Sequence, residues 1–334
     1  MNRSTVRGWS RGAALALTAG VLVVLAPATG SAAPTTTDAA RQAVTKAGEQ
    51  LQALAEQVNQ ATEAAAEQQA AADAAGADAA EAQIAVDALA PQLRALALSG
   101  YTGSTRSRIA AFLTSGSADD LVDTMSTLDQ LAAHADGIVA QVAAARDAAR
   151  QAQATAAAAQ AQAEASVADL EAQQKTLERE MAGYEADLAR LSAADQVRVQ
   201  NVVAGPQLTT ADPAPAPTAA AGEAVRTALA QLGDRYVAGA SGPDAFDCSG
   251  LTMYAYAAAG VTLPHSSRAQ STMGTAVARA DLQPGDLVFF YTPVSHVGIY
   301  IGNGQMVHAS VPGRPVAVTS VDKGGYVGAR RVTG

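Results

Sequence analysis

The sequence predicts two regions of different class, a long all-α coiled coil followed by an α+β domain with a helix packed on an antiparallel sheet. From about Thr37 to Leu191 the chain is rich in Ala, Gln and Glu and nearly free of Gly and Pro. Residues 222–334 carry helix-forming stretches first and consecutive short apolar runs after them. The single cysteine of the chain, Cys248, stands where one of those helices should begin.

Residues 1–33 have the three parts of a secretory signal peptide. A basic stretch is followed by an apolar run over residues 13–25, and the small residues Gly30-Ser31-Ala32 form a cleavage site. The apolar run is shorter than the roughly 20 residues that a transmembrane helix needs. We therefore expect cleavage after Ala32 and a secreted protein of the cell envelope.

Charge and cysteine content exclude several functions. The formal net charge is −9, and an acidic chain is a poor candidate for binding nucleic acid or an anionic membrane. One cysteine in an exported protein leaves no intramolecular disulfide and a free thiol to explain. No cofactor and no metal is expected.

Residues 37–192 are predicted to form the coiled coil. The first half carries one apolar stripe in alternating steps of three and four, which we call the first heptad stripe. Its positions are Leu51, Leu54, Val58, Ala61, Ala65, Gln68, Ala72, Ala75, Ala79, Ala82, Val86, Leu89, Leu93 and Leu96. Pro91 is expected to kink this helix or mark a restart.

A second long helix is expected from about Ala118 to Ser192, after a break near Gly100 and a short amphipathic piece at residues 106–113. Its second heptad stripe runs through Val167, Leu170, Gln174, Leu177, Met181, Tyr184, Leu188 and Leu191. Two long helices with a compact tip favour an antiparallel hairpin, although a parallel dimer would show the same stripes.

Residues 193–221 form the predicted boundary. Gly205-Pro206 and the proline-rich residues 212–218 cannot continue a helix, so an extended, semi-rigid linker is expected. In residues 222–334 we expect a helix over 222–232, the helix that follows Cys248, and strands near residues 286–291, 297–301, 305–310, 315–321 and 326–332.

Cys248 and two histidines form the candidate catalytic set. A thiol in the first turn of a helix lies at the positive end of the helix dipole, which favours the thiolate. His296 and His308 flank the turn signal Gly302-Asn303-Gly304. If Ile301 pairs with Gln305, the histidines become diagonal neighbours on one face, so one can act as base and the other can orient it.

Four segments carry a resemblance to the NlpC/P60 cell-wall peptidases. They are Tyr236-Val237-Ala238-Gly239-Ala240, Phe246-Asp247-Cys248-Ser249-Gly250, Pro284-Gly285-Asp286-Leu287 and the residues from His296 to Gly302. They occur in the family's order over about a third of the chain. Ala238 and Ala240 depart from the family, which usually has Trp and a second Gly there.

The resemblance implies a papain-like fold and a D,L-endopeptidase that cuts the γ-D-glutamyl–diamino-acid bond of peptidoglycan stem peptides. Cys248, His296 and His308 would be the nucleophile, the base and its orienting residue. Tyr236 would donate to the oxyanion and line the groove, and Asp247 and Ser249 would lie near the substrate. Similar coiled coils precede the peptidase in divisome-associated hydrolases, which implies docking on an FtsX-type membrane protein and control of an autoinhibited domain.

Other readings of the same residues stay open. Asp247 or Ser249 could simply cap the helix. His265 is a spare candidate base, but nothing in its loop is expected to orient it. Cys248, His296 and His308 are also acceptable zinc ligands. A wall amidase or acyltransferase of the same fold, or a non-catalytic scaffold with the coiled coil as its working part, are the alternative functions.

Overall fold

The computed structural model describes residues 37–101, 117–209 and 213–333. The predicted signal peptide at residues 1–33 and the short piece at 106–113 lie outside these ranges. Among the residues described, no helix is long and apolar enough to cross a membrane.

The N-terminal region is a hairpin of two long helices, α1 (Thr37–Tyr101) and α2 (Ala118–Ala189). Ser117 caps α2, because its side chain accepts a hydrogen bond from the Asp120 N–H. The helices run antiparallel within one chain, since the side chains of Gln83 and Gln153 are 3.4 Å apart and Leu51 shares a cluster with Leu188. Of the two arrangements left open, the structure forms the hairpin.

The first heptad stripe packs as expected, since all of its positions are buried or half-buried. The second is wrong at two positions: Val167 is 42% exposed and Gln174 is exposed. Ala163, Ser166 and Gln173 face the partner helix instead. A straight helix has 3.6 residues per turn, so a strict heptad drifts across its surface by about 20° per repeat.

Helix α1 continues through Pro91 to Tyr101, so the expected restart is absent. A proline inside a helix removes one backbone hydrogen bond. Packing along the rest of this long helix outweighs that loss.

The predicted linker is partly helical. Ser192 caps a third helix, α3 (Ala193–Ala204), which ends at Gly205. Val199, Val203 and Ala204 of α3 are buried, because its apolar side packs against the hairpin and the C-terminal domain. Among the described residues of this segment, 205–209 and 213–218 lie outside helices and strands, and Thr218 caps helix α4 (Ala219–Ala230).

The C-terminal domain is α+β. Helix α5 (Cys248–Ala258) and the short α6 (Ser267–Gln270) accompany a small parallel pair, β1 and β2, and a six-stranded antiparallel sheet ordered β3-β8-β4-β5-β6-β7. The strands are β1 (Arg235–Tyr236), β2 (Ala245–Phe246), β3 (Thr275–Val277), β4 (Leu287–Phe290), β5 (His296–Gly302), β6 (Gln305–His308), β7 (Ala317–Ser320) and β8 (Tyr326–Arg331).

The large sheet is covered on both faces. Leu251, Ala255 and Tyr256 of α5 pack in one core with Val297 and Ile299 of β5, so the cysteine helix lies on the sheet as expected. Successive side chains of a strand point to opposite faces of the sheet. A second core, which includes Phe290 and Met306, lies on the other face.

The β5–β6 hairpin brings the histidines together. Ile299 pairs with Val307 and Tyr300 with Met306, which is the predicted register, but a bulge then pairs Gly302 with Gln305 and shortens the loop to Asn303-Gly304. Gly298 is required here, because a Cβ at this position would lie 3.2 Å from the His308 Cβ.

Candidate active site

Cys248 is the first residue of α5 and is held there by its neighbour. Asp247 is the N-cap, and its carboxylate accepts a 2.7 Å hydrogen bond from the Gly250 N–H. Cys248 is 9% exposed, and the backbone N–H groups of Val297 and Ser249 donate to its sulfur. The thiol therefore lies beside the start of β5, where Val297 follows His296.

The expected activation of the thiol by the helix start is wrong for this state of the protein. Burial raises the pKa of Cys248 well above its usual value, and the carboxylates of Asp247 and Glu56 raise it further. The two backbone donors at the sulfur oppose this shift without cancelling it. Desolvation and two nearby negative charges outweigh the helix dipole, so the thiol is protonated here.

His296 and His308 form a buried pair. The distance from His296 Nε2 to His308 Nδ1 is 2.7 Å, and both rings are essentially inaccessible. Burial lowers the pKa of both imidazoles well below the usual value, and the charge of Lys323 lowers it further. His296 Nδ1 is buried with no hydrogen-bond partner among the described residues. A neutral imidazole with one unused nitrogen beside a thiol can serve as a base.

Asp247 is the centre of the polar contacts around the thiol. Besides capping α5, it accepts hydrogen bonds from the Gly239 N–H and from Asn59 Nδ2, each at 2.9 Å. Burial alone would raise its pKa, but hydrogen bonds and charge from His265, with those from Asn59 and Gly250, lower it overall. The Ser249 hydroxyl is 3.3 Å from both Asp247 and Asn59. Asp247 thus caps the helix and also binds α1 through Asn59.

Tyr236 lies on β1 and is buried. Burial raises the pKa of its hydroxyl well above the usual value, and the neighbouring charges of Asp247 and Cys248 raise it further. The phenol therefore stays protonated beside the thiol and keeps a hydrogen to donate.

His265 is oriented, contrary to the expectation that nothing holds it. Its Nε2 is 3.0 Å from Asp247 Oδ1. Burial lowers the pKa of His265, but the hydrogen bond and charge of Asp247, helped by Glu63 and Glu56, raise it overall. The His265 imidazole therefore binds the Asp247 carboxylate.

The sequence reasoning missed the residues of α1 that lie over the site. Gln52, Glu56 and Asn59 are at most 4% exposed, and all three bind the C-terminal domain. Gln52 Nε2 donates to the Ser310 hydroxyl at 3.0 Å, and Asn59 reaches Asp247 and Ser249. We call these residues, together with Glu63, the polar stripe of α1.

Glu56 makes the largest set of these contacts. Its carboxylate accepts hydrogen bonds from the Ser266 hydroxyl at 2.6 Å, the Ser267 hydroxyl at 2.5 Å and N–H at 2.8 Å, and the Arg268 N–H at 3.2 Å. Glu63 accepts a backbone hydrogen bond from His265. Ala238, small where the family usually has Trp, packs against the apolar cluster of the hairpin.

A weak sequence signal for the polar stripe exists. Gln52, Glu56, Asn59 and Glu63 recur at steps of four, three and four, and the stripe is displaced by one position from Leu51 in the first heptad stripe. The same spacing in an Ala/Gln/Glu-rich helix is also typical of a solvated face. Only the tertiary structure distinguishes the two.

Lys323 and Tyr291 were also missed. Lys323 Nζ donates to the Tyr291 hydroxyl at 2.9 Å and lies 4.7 Å from the Phe290 ring centroid. Burial lowers the pKa of Lys323 to about 8, although Glu49 and the ionised form of Cys248 would oppose the shift. Tyr291, beside the His296 ring, has a φ of 70°. The Lys323 ammonium group is thus held close enough to the histidine pair to lower the pKa of both rings.

The geometry differs from a zinc site. His296 Nε2 and His308 Nδ1 share a hydrogen, so the nitrogens that face each other are not free to hold a metal together. Within the described ranges, no group of three His, Cys, Asp or Glu side chains is arranged to bind a metal ion.

An α+β domain with a thiol at a helix start and a hydrogen-bonded pair of imidazoles has the groups that nucleophilic catalysis requires. Residues 233–331 match the NlpC/P60 family, and the C-terminal domain of this chain belongs to that family.

Two curated relatives are described as probable endopeptidases. One, from Mycobacterium tuberculosis, is 52% identical over 103 residues, which is 31% of this chain and 27% of the relative. The other, from Corynebacterium glutamicum, is 48% identical over 108 residues, or 32% of this chain and 52% of the relative. This chain therefore spans about a quarter to a half of their length.

Among solved structures, the peptidoglycan hydrolase RipB from Mycobacterium tuberculosis is 36% identical to this chain. The match covers 34% of this chain and 64% of that one, with a TM-score of 0.32. All three similarities fall on the C-terminal domain.

Proposed function

We propose that this chain is a secreted cysteine peptidase of the cell envelope that hydrolyses peptidoglycan stem peptides. The observation that carries the proposal is the histidine pair, joined at 2.7 Å, with an unpartnered Nδ1 on His296, the residue before Val297, whose backbone N–H donates to the Cys248 sulfur. The domain's family and relatives described as probable endopeptidases support the reaction class.

The reaction needs one proton carrier and one nucleophile. His296 Nδ1 takes the proton of the Cys248 thiol, and the sulfur attacks the peptide carbonyl. The imidazolium then gives that proton to the leaving amine as the C–N bond breaks. Water, deprotonated by the same nitrogen, releases the acyl group and restores the thiol. His308 holds His296 in the required orientation.

The oxyanion would be bound by two donors. They are the Cys248 N–H, which lies in the first turn of α5 where intrahelical acceptors are lacking, and the Tyr236 hydroxyl. Loss of one such donor typically lowers turnover by about 10²–10³.

The contacts of Glu56 support an anionic substrate. Ser266, Ser267 and the Arg268 N–H bind a carboxylate of α1 close to Asp247. Stem peptides of peptidoglycan carry free carboxylates, and the γ-D-glutamyl–diamino-acid bond lies beside one. We infer that this bond is the one cleaved, with Glu56 in place of a substrate carboxylate in the structure described here.

The hairpin supports a second part of the proposal, that the full chain is held inactive. Gln52, Glu56 and Asn59 bind across the groove, and the Glu56 charge helps to keep the thiol protonated. An FtsX-type membrane protein that binds the hairpin and pulls α1 away would link hydrolysis to cell division.

Mass spectrometry of digested peptidoglycan tests the reaction. Purified peptidoglycan is incubated with the full chain, with a chain lacking residues 37–192, and with the shortened chain carrying Cys248→Ala. We expect fragments that end at D-glutamate, most from the shortened chain and none from the variant.

Each other outcome changes the proposal. Cleavage at an amide outside the stem would keep the thiol mechanism and assign an amidase. Equal rates per mole for the full and shortened chains would contradict autoinhibition. No cleavage by a folded shortened chain would favour the alternative function, a non-catalytic scaffold that acts through the hairpin.

A further inference from the structure

The outer nitrogen of His308 has a partner that the sequence did not reveal. His308 Nδ1 binds His296, and His308 Nε2 lies 3.2 Å from the Thr319 hydroxyl oxygen. Thr319 is on β7, opposite Met306, and its side chain is completely buried. The pair of histidines is therefore extended by a third polar group on the next strand.

The direction of these hydrogen bonds decides whether His296 can be a base. A neutral imidazole has one N–H. If His308 carried it on Nδ1, His296 would accept at Nε2 and carry its own hydrogen on Nδ1, where it could not take a thiol proton. If His308 carries it on Nε2, then His296 donates from Nε2 and its Nδ1 keeps a free lone pair.

A backbone carbonyl favours the second arrangement. A threonine hydroxyl can donate or accept, so it does not choose a direction. The Ala204 carbonyl, at the end of α3, also hydrogen-bonds the His308 ring and raises its pKa against the effect of burial. A carbonyl only accepts, and His308 Nδ1 is already taken by His296, so this carbonyl favours the tautomer in which the His308 hydrogen is on Nε2, the nitrogen that faces Thr319.

The position of this carbonyl is fixed by the C-terminal domain. Gly205, with a φ of 87°, passes so close to β7 that a Cβ there would lie 3.2 Å from the Thr319 Cβ. Three consecutive carbonyls at the end of α3 accept hydrogen bonds from this domain. They are those of Val203, from Lys323; Ala204, from His308; and Gly205, from Arg314.

We propose that Thr319 and the Ala204 carbonyl are positioning groups that hold the histidine pair in the tautomer competent for catalysis, so that α3 is part of the catalytic unit and not of the linker. The proposal rests on the peptidase function proposed above. Neither group touches the substrate. Both act through His308. The charged or titratable groups near His308 are His296 on β5, Lys323 after β7 and Arg314 before β7.

The experiment uses the full chain with three substitutions. Thr319→Val keeps the shape and removes the hydroxyl, Thr319→Ser keeps the hydroxyl, and Ser320→Ala is the matched control on the adjacent residue. Ring ¹⁵N chemical shifts give the tautomer of each histidine. The chain has four histidines, and the exposed His134 serves as an internal reference.

We expect wild-type His296 to carry its hydrogen on Nε2, and Thr319→Val to populate the other tautomer. The same variant should lower kcat about 3- to 10-fold with KM unchanged, which is the size of one neutral hydrogen bond. Thr319→Ser should restore both properties, and Ser320→Ala should match wild type.

Two results would overturn the inference. One is a wild-type His296 protonated on Nδ1 at neutral pH. The other is an equal loss of activity in Thr319→Val and Thr319→Ser with unchanged ¹⁵N shifts, which would assign Thr319 to packing. If neither the full chain nor the chain lacking residues 37–192 hydrolyses peptidoglycan, the proposed function fails, but the ¹⁵N shifts still test the tautomer.

Discussion

The two ends of the helical hairpin have the same Ala-rich composition, but one end buries polar side chains and the other exposes large apolar ones. At the basal end, Gln52, Glu56 and Asn59 of α1 are at most 4% exposed. At the distal end, α1 and α2 expose large apolar side chains instead. Those exposed by more than half are Ile84, Leu98, Val122, Leu131 and Val139, at 52–67%.

The difference shows that burial here follows the partner surface and not the composition. The basal polar groups have hydrogen-bond partners on the C-terminal domain, so burying them leaves no unsatisfied donor or acceptor at Glu56. Among the described residues of the distal end, Ile84, Val122, Leu131 and Val139 remain more than half exposed. A contiguous apolar surface can bind another protein, so this end of the hairpin is where the proposed membrane partner is to be tested.

The largest expected effect comes from weakening the contacts of Glu56, at the basal end of the hairpin, with the C-terminal domain. Glu56→Gln should raise the hydrolysis rate of the full chain by about 10- to 100-fold. A hydrogen bond to a charged group contributes about 1.5–3 kcal/mol, and each 1.4 kcal/mol is about a tenfold change in the population of the open form. Steady-state hydrolysis of stem peptides is the measurement.

Glu67→Gln is the matched control for that variant. It removes the same charge from an exposed position of the same helix, so its rate should equal that of wild type. If both variants behave alike, the docking of Glu56 is not what limits the rate.

A smaller effect is expected on the thiol itself. Since the Glu56 carboxylate raises the pKa of Cys248, Glu56→Gln should shift the midpoint of Cys248 alkylation by iodoacetamide to lower pH. The thiolate is the reactive form, so a lower pKa gives faster alkylation at any pH below the new midpoint. An unchanged midpoint, with faster alkylation at every pH, would mean that Glu56 controls access alone.

The smallest effect on the isolated protein is expected at the distal end. Leu131→Gln should change the free energy of unfolding by less than about 0.5 kcal/mol and leave hydrolysis unchanged, while weakening binding to the extracytoplasmic part of an FtsX-type protein. Calorimetric titration measures the binding. Ala133→Gln, also exposed, is the control, and equal binding by both variants would remove this surface from the proposal.

Local patterns predicted more of the fold than of the site's surroundings. The first heptad stripe, the start of α5 at Cys248 and the register that joins His296 to His308 all follow from periodicity and turn residues within short segments. The second stripe failed at Val167 and Gln174, because the buried and half-buried positions of α2 contain two successive steps of four, from Gln173 to Leu177 and from Leu177 to Met181, which break the strict heptad.

The errors share a cause in contacts between distant parts of the chain. The proline-rich boundary correctly indicated extended chain, but α3 within it packs behind His308 and was read as linker. His265 was judged unoriented, because its partner Asp247 comes from another element. The polar stripe of α1 was missed, because its partners, such as Ser266, belong to the C-terminal domain.

The sequence by itself determined the helical hairpin's periodicity, the class of the C-terminal domain, and the identity of the thiol and the two histidines. These depend on residues close together in the chain or on one β-hairpin. Only the tertiary structure decided the charge state of Cys248, the cover over the groove and the partners of His308. Those depend on desolvation and on charges brought from far away, as between Glu56 and Ser267, which are 211 positions apart.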